Sequence, residues 1–176
     1  MKEEIIYSQN STYHVYVKYS LKENTDGVID QKGLYVKKTI PKISFDKNTE
    51  MRISLKWFLY FNIFIYILHG CKGIFKEYQL YKDNRLVCKV VAMSYVPIYK
   101  FMPKDGIHVG FARTEVNYRG KGYYTILLKY VMKDLFCRNI YIFTEHDNIA
   151  SQKGIEKAGF TYIKECKKCG RYFMEV

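Results

Sequence analysis

The chain has 176 residues, a length that suits one compact domain or one domain with an N-terminal elaboration. Apolar residues make up 48% of it, enough for a sizeable core, which argues against global disorder. The formal net charge of +12 is spread along the whole chain; with no long Lys/Arg run, zinc-finger spacing or heptad array, it reads as a solvated cationic surface that attracts anions rather than as a nucleic-acid module.

The five cysteines are Cys71, Cys88, Cys137, Cys166 and Cys169. Their odd number, and an N-terminus in which Met1-Lys-Glu-Glu is followed by few apolar residues, favour a reducing cytoplasm over a disulfide framework. Cys166 and Cys169 form a single CxxC near an expected hairpin turn. A zinc site there would need two more ligands, and neither a second CxxC nor a closely spaced His pair occurs, so no metal is implied.

In chain order, Tyr13, Val15, Val17 and Tyr19 alternate with Thr12, His14, Tyr16 and Lys18 as in a strand, and residues 33–43 form a second extended stretch. Together they predict an N-terminal hairpin or small subdomain, and a division into a strand-rich elaboration over 1–50 and a main domain over 51–176. From Trp57 to Leu68 every residue is apolar or aromatic except Asn62. A bilayer span needs about 20 such residues, so a helix over 53–69 buried in the core is expected, with attachment to a membrane surface the alternative.

Residues 75–81 and 85–96 flank Asp83-Asn84 and predict a hairpin; residues 107–114 make a further strand. Tyr124, Leu127, Leu128, Val131 and Leu135 then recur at helical spacing directly after a glycine-containing turn. A short strand over 139–144 follows. Asp147 or Asn148 can cap a helix over 149–158 that Gly159 stops, and residues 160–164 and 171–176 close the chain as a hairpin. This order predicts an α/β fold with a mixed sheet.

The turn from Thr114 to Tyr124 carries Arg119, Gly120, Lys121 and Gly122. Such a turn at a helix start exposes backbone N–H groups where the helix dipole favours negative charge, and glycine lets an anion approach the main chain. A diphosphate suits it, but neither GxxxxGK[ST] nor GxGxxG is present. Taken alone, RGKG is also compatible with a tight connection bearing solvated basic residues.

Arg119-Gly-Lys-Gly-Tyr-Tyr124 resembles the [Q/R]-x-x-G-x-[G/A] acetyl-coenzyme A motif of the GNAT superfamily of N-acetyltransferases. Asn148-Ile-Ala-Ser151 through Glu156-Lys-Ala-Gly-Phe160 is similar to that family's second motif, and the resemblance extends over residues 106–165. It implies a mixed central sheet that splays between its fourth and fifth core strands, flanked by helices, with the pantetheine arm of acetyl-coenzyme A in the gap. By the same resemblance, main-chain groups around Ala112, Arg113 and Thr114 would pair with the pantetheine amides. Those of Arg119, Gly120, Lys121, Gly122, Tyr123 and Tyr124 would hold the pyrophosphate, with Asn148 and Ser151 across the gap. Two departures stand out. Tyr124 replaces a small residue, which is similar to some sugar-acetylating members, and Ile155 replaces the Tyr that donates a proton to the leaving thiolate in many relatives.

Attack on the thioester needs a neutral amine, hence a base near the end of the fourth core strand. His108, Glu115, Glu145 and His146 are in range; His108, on one strand face with Gly110 and Ala112, is the first candidate and Glu145 the second. Positioning and main-chain donors could instead supply much of the rate. The expected activity is therefore acetyl transfer from acetyl-coenzyme A to a primary amine in a ternary complex. The expected partner is a small-molecule amine, for which an anionic or nucleotide-linked amino sugar suits a cationic protein, with a homodimer compatible and neither nucleic acid nor a transmembrane segment expected. A protein amine acceptor, a non-catalytic acyl-coenzyme A sensor or scaffold, and a membrane-surface or nucleic-acid binder are the alternatives.

Overall fold

The computed structural model describes residues 12–19, 33–39, 64, 74–94, 99–136, 138–170 and 172–176. In chain order it places β1 (Thr12–Lys18), β2 (Leu34–Thr39), β3 (Phe75–Lys82), β4 (Arg85–Ser94) and β5 (Ile107–Thr114). A 3-10 turn (Val116–Tyr118) leads to α1 (Tyr123–Asp134), β6 (Ile140–Glu145), α2 (Ile149–Ala158), β7 (Thr161–Cys169) and β8 (Tyr172–Glu175). The strands form one sheet in the order β2-β3-β4-β5-β6-β1-β7-β8. Neighbours are antiparallel except β5 and β6, which run parallel. The expected mixed α/β sheet is present.

Local chemistry accounts for several of these boundaries. Asp83 and Asn84 adopt φ of 48° and 62°, the left-handed pair that a two-residue hairpin turn requires, and so join β3 to β4. Asn148 caps α2 by accepting the Ser151 N–H at 3.1 Å, which settles the choice between it and Asp147. Gly159 ends that helix at φ 101°.

The N-terminal strands occupy different places from those expected. They do not pair with each other as a hairpin: β2 lies on the edge beside β3, whereas β1 lies inside the sheet between β6 and β7. Val15, Tyr16 and Val17 are 0%, 1% and 0% exposed, because side chains pack on both faces of this strand, Tyr16 in one hydrophobic cluster and Val15 in another. The division at residue 50 and the helix expected over 53–69 lie outside the described residues, apart from the exposed Phe64. Among the described residues, no helix is long and apolar enough to cross a membrane.

Two cores lie on opposite faces of the sheet. On one, Leu127, Leu128 and Val131 of α1 and Ile155 and Ala158 of α2 pack on Leu80, Val87, Val90, Ile107 and Ile142. On the other, Val15, Phe75, Met93, Tyr99, Phe101 and Cys166 form a second cluster with Phe143 and Phe173 against it. Asp134 at the end of α1 binds the Tyr78 hydroxyl and the ammonium of Lys38, tying the helix to β3 and β2. Leu127 is fully buried, so Leu127→Ala should cost about 2–5 kcal/mol of unfolding free energy through the lost contacts and the cavity left behind. Urea denaturation measures this; a change no larger than that of exposed Lys129→Ala would show that α1 does not anchor the core.

Candidate functional site

The site begins where two parallel strands part. β5 and β6 pair only at Ile107↔Ile140 and His108↔Tyr141, although β5 continues to Thr114 and β6 to Glu145. On its other side β5 carries a bulge: Val91 faces Gly110 while Lys89 faces Arg113, which leaves one extra residue on β5. Phe111 stands there with φ 52°, a strained value for an aromatic residue. Beyond the bulge Ala112 and Arg113 are exposed, although their strand lies in the middle of the sheet.

The opening is a cavity of about 670 Å³. One wall is the end of β5, with Ala112, Arg113 and Thr114; another is the turn and first residues of α1, with Arg119, Gly120, Gly122, Tyr123, Tyr124 and Thr125. Opposite them α2 and its cap contribute Asn148, Ala150, Ser151, Lys153, Gly154 and Lys157. Ten of the eleven residues expected to hold a cofactor therefore converge on one space. The exception is Lys121, whose ammonium folds back to donate to the Asn117 carbonyl at 2.9 Å and lies over the Tyr118 ring.

The two helix starts differ. α2 is capped by Asn148, whereas α1 begins at Gly122 with no side-chain cap, so its first-turn N–H groups remain available on the cavity wall. Gly120 and Gly122 have φ of 73° and 79°, and a Cβ built on either meets nothing within 4 Å. Space is thus left open over the main chain where a phosphate would sit. Among the described residues, four cations, Arg113, Arg119, Lys153 and Lys157, line the cavity and no carboxylate does. These features fit the pyrophosphate of a coenzyme A ester.

Lys153 and Lys157 were not singled out from the sequence. Their signal is the i, i+4 spacing on α2 in line with Ala150, Ser151 and Gly154. The bulk of Tyr124 is received by Gly154, where a Cβ would come within 3.0 Å of the ring. Thr125 also donates its hydroxyl to the Gly154 carbonyl at 3.1 Å, so the two helices touch through these residues. Burial pushes the Tyr124 hydroxyl up to about 12, so it stays protonated at neutral pH.

The candidate bases lie elsewhere. Because the bulge interrupts strand alternation, Ala112 lines the cavity while His108 does not. His108 is 2% exposed on the second core, stacked on Phe143 at 5.0 Å and against Tyr99 at 4.6 Å, and its Nδ1 has no hydrogen-bond partner. A Cβ on Gly110 would collide with this ring, so glycine makes room for it. Burial pulls the imidazole down to about 3. Glu145 is exposed at the end of β6, outside the cavity lining. Glu115 faces Arg113 at 3.8 Å, and the His146 ring contacts His14. Ile155 is fully buried and can donate no proton.

Residues 68–160 match the model of the family described as acetyltransferase (GNAT) family. No curated protein is similar enough to count as a relative. Among solved structures, the fold is similar to a GNAT-family acetyltransferase from Colwellia psychrerythraea, at 17% identity and a TM-score of 0.50, covering 88% of this chain and 53% of that one. It is also similar to a GCN5-related N-acetyltransferase from Sphaerobacter thermophilus, at 9% identity and a TM-score of 0.55, covering 89% and 50% of the two chains. A conserved protein of unknown function from Staphylococcus epidermidis matches at 12% identity and a TM-score of 0.52, covering 89% and 60%. The chain thus spans between half and three-fifths of the length of these structures.

The placement of His108 sets a pH dependence. Its proton affinity is about 3 in the fold against about 6.5 in an unfolded chain, so between these values the unfolded state binds a proton that the folded state refuses. Its contribution is therefore complete above about pH 6.5 and is lost as pH falls, by at most about 1.4 kcal/mol per pH unit. The urea midpoint should fall between pH 6.5 and 4.5, and less steeply in His108→Leu; equal slopes would contradict the sealed imidazole.

Proposed function

The chain belongs to the acetyltransferase (GNAT) family, and on that premise we propose that it binds acetyl-coenzyme A between β5 and β6 and transfers the acetyl group to a primary amine. The observation that carries this is the uncapped start of α1, with Gly120 and Gly122 leaving their main chain open on a cavity lined by four cations. When bound, the cofactor supplies an acetyl thioester whose carbonyl carbon an amine attacks.

In this reading the first-turn N–H groups of α1 bind phosphate oxygens, aided by the dipole and by Arg119. Lys153 and Lys157 offer further positive charge from across the slot. Peptide groups around Ala112, Arg113 and Thr114 pair with the amides of the pantetheine arm, an interaction that β5 can offer on the side where β6 has parted from it. Asn148 and Ser151 bound the other side.

Positioning and main-chain polarisation of the carbonyl then carry most of the rate. What supports this over a side-chain base is where the two candidates stand. His108 is sealed among aromatic rings and binds protons too weakly near neutrality, and Glu145 lies outside the cavity lining. The acceptor we favour is an anionic amino sugar, free or nucleotide-linked, on the ground of the +12 charge. We assign the proposed reaction to the cytoplasm on the odd number of cysteines, which favours a reducing compartment. A non-catalytic acyl-coenzyme A sensor is the second reading, favoured by Ile155 at the usual proton donor's position.

Gly122→Asp puts a carboxylate into open space on the cavity wall and should abolish coenzyme A binding while the domain stays folded. Unchanged affinity by calorimetry would remove the phosphate site. A panel of amines with acetyl-coenzyme A, read by thiol release, should show amine-stimulated turnover, greatest with anionic amino sugars. Binding of coenzyme A with no stimulation by any amine would favour the sensor.

A further inference from the structure

Away from the cavity, three metal-ligating side chains meet on the surface of the sheet. They are His14 of β1, His146 in the turn after β6, and Glu165 of β7, and one ligand atom from each lies within 4.8 Å of the other two. His14 Nε2 is 2.8 Å from His146 Nδ1 and 3.3 Å from a Glu165 carboxylate oxygen. Among the described residues this is the one such grouping of His, Cys, Asp and Glu.

Hydrogen-bond accounting shows what the arrangement lacks. A carboxylate only accepts, and a neutral imidazole donates from one nitrogen. If His146 Nδ1 donated to His14 Nε2, that nitrogen would have no proton left for the Glu165 carboxylate 3.3 Å away, and two acceptors would stand side by side. The favourable tautomer therefore has His14 Nε2–H between two acceptors, a single proton surrounded by three Lewis bases. A divalent cation satisfies all three at once. His14 then carries a proton on Nδ1, and two imidazole nitrogens and one carboxylate oxygen become ligands.

The ligands also come pre-positioned. His14 and Glu165 are paired in register across β1 and β7. The His146 N–H donates to the Thr12 carbonyl, and the Gln152 side chain donates to the His146 carbonyl at 2.6 Å. The edge of the Tyr162 ring stands against His14 at 5.2 Å.

We propose that His14, His146 and Glu165 form a binding site for a borderline divalent transition cation, zinc foremost, that clips β1 to the β6–α2 turn and to β7. Two imidazole nitrogens and a carboxylate oxygen are a donor set that zinc accepts, with one position left for water. Ligand atoms around a tetrahedral zinc stand about 3.3 Å apart, so loading asks the two imidazoles to separate slightly while the His14–Glu165 spacing already suits. The ion would fix His146 two residues before the Asn148 cap, and so steady the start of α2 along the cavity.

The test uses the tag-free full chain. Zinc titrated against a chromophoric chelator should bind at one equivalent, and Co2+ in its place should give the strong visible bands of four-coordinate geometry. His14→Gln and His146→Gln should each weaken zinc by about tenfold or more, as should Glu165→Gln. Glu165 is 41% exposed, so its variant decides the matter if the histidine variants fail to fold. No bound equivalent, affinity unchanged by Glu165→Gln, or zinc retained in a folded His14→Gln/His146→Gln double variant would overturn the site; the last would place the metal on cysteines.

Discussion

The early parting of β5 from β6 is the constraint on which the rest of the site depends. Two residue pairs hold the strands together, and beyond His108↔Tyr141 each goes its own way. A strand in the middle of a sheet ordinarily spends its peptide groups on both neighbours. Here the far half of β5 faces an opening on one side and, on the other, a partner interrupted by the bulge at Phe111. Ala112, Arg113 and Thr114 form the wall of a slot that would otherwise be packed sheet.

The two helices that bound that slot treat their starts differently, which is what the proposed phosphate site rests on. An N-cap contributes about 1 kcal/mol, and α2 takes that contribution from Asn148. α1 forgoes it at Gly122. Leaving such groups unmet in one place while meeting them in the other fits a protein that exchanges a little stability for ligand affinity. The same two helices meet through Tyr124, Thr125 and Gly154, so the width of the slot is set by side chains rather than left to a loop.

Much of this was legible because it is written in local chemistry. Asp83-Asn84, the helical spacing from Tyr124 to Leu135, the Asn148 cap and the Gly159 stop each report on a few neighbouring residues, and each lies where it was read. The positions of β1 and His108 were not legible, for two separate reasons. Alternation tells which residues of β1 share a face but not which strands will flank it, and its flanks lie more than a hundred residues away. For His108 the face was counted by twos to Ala112, and one extra residue at Phe111 puts that count out of step. The pairing of His14 with His146 is invisible for the first reason: no spacing rule joins residues so far apart.

The location of β1 also bears on how the chain assembles. β1 finds its two neighbours only in residues 140–145 and 161–167, so the central ladders join segments far apart along the chain and have high contact order. Until those ladders form, β6 and β7 each present an unsatisfied edge to the surroundings, the condition under which strands join the wrong partner. The ladders that divide the two cores are thus the ones whose formation draws on the most distant parts of the chain.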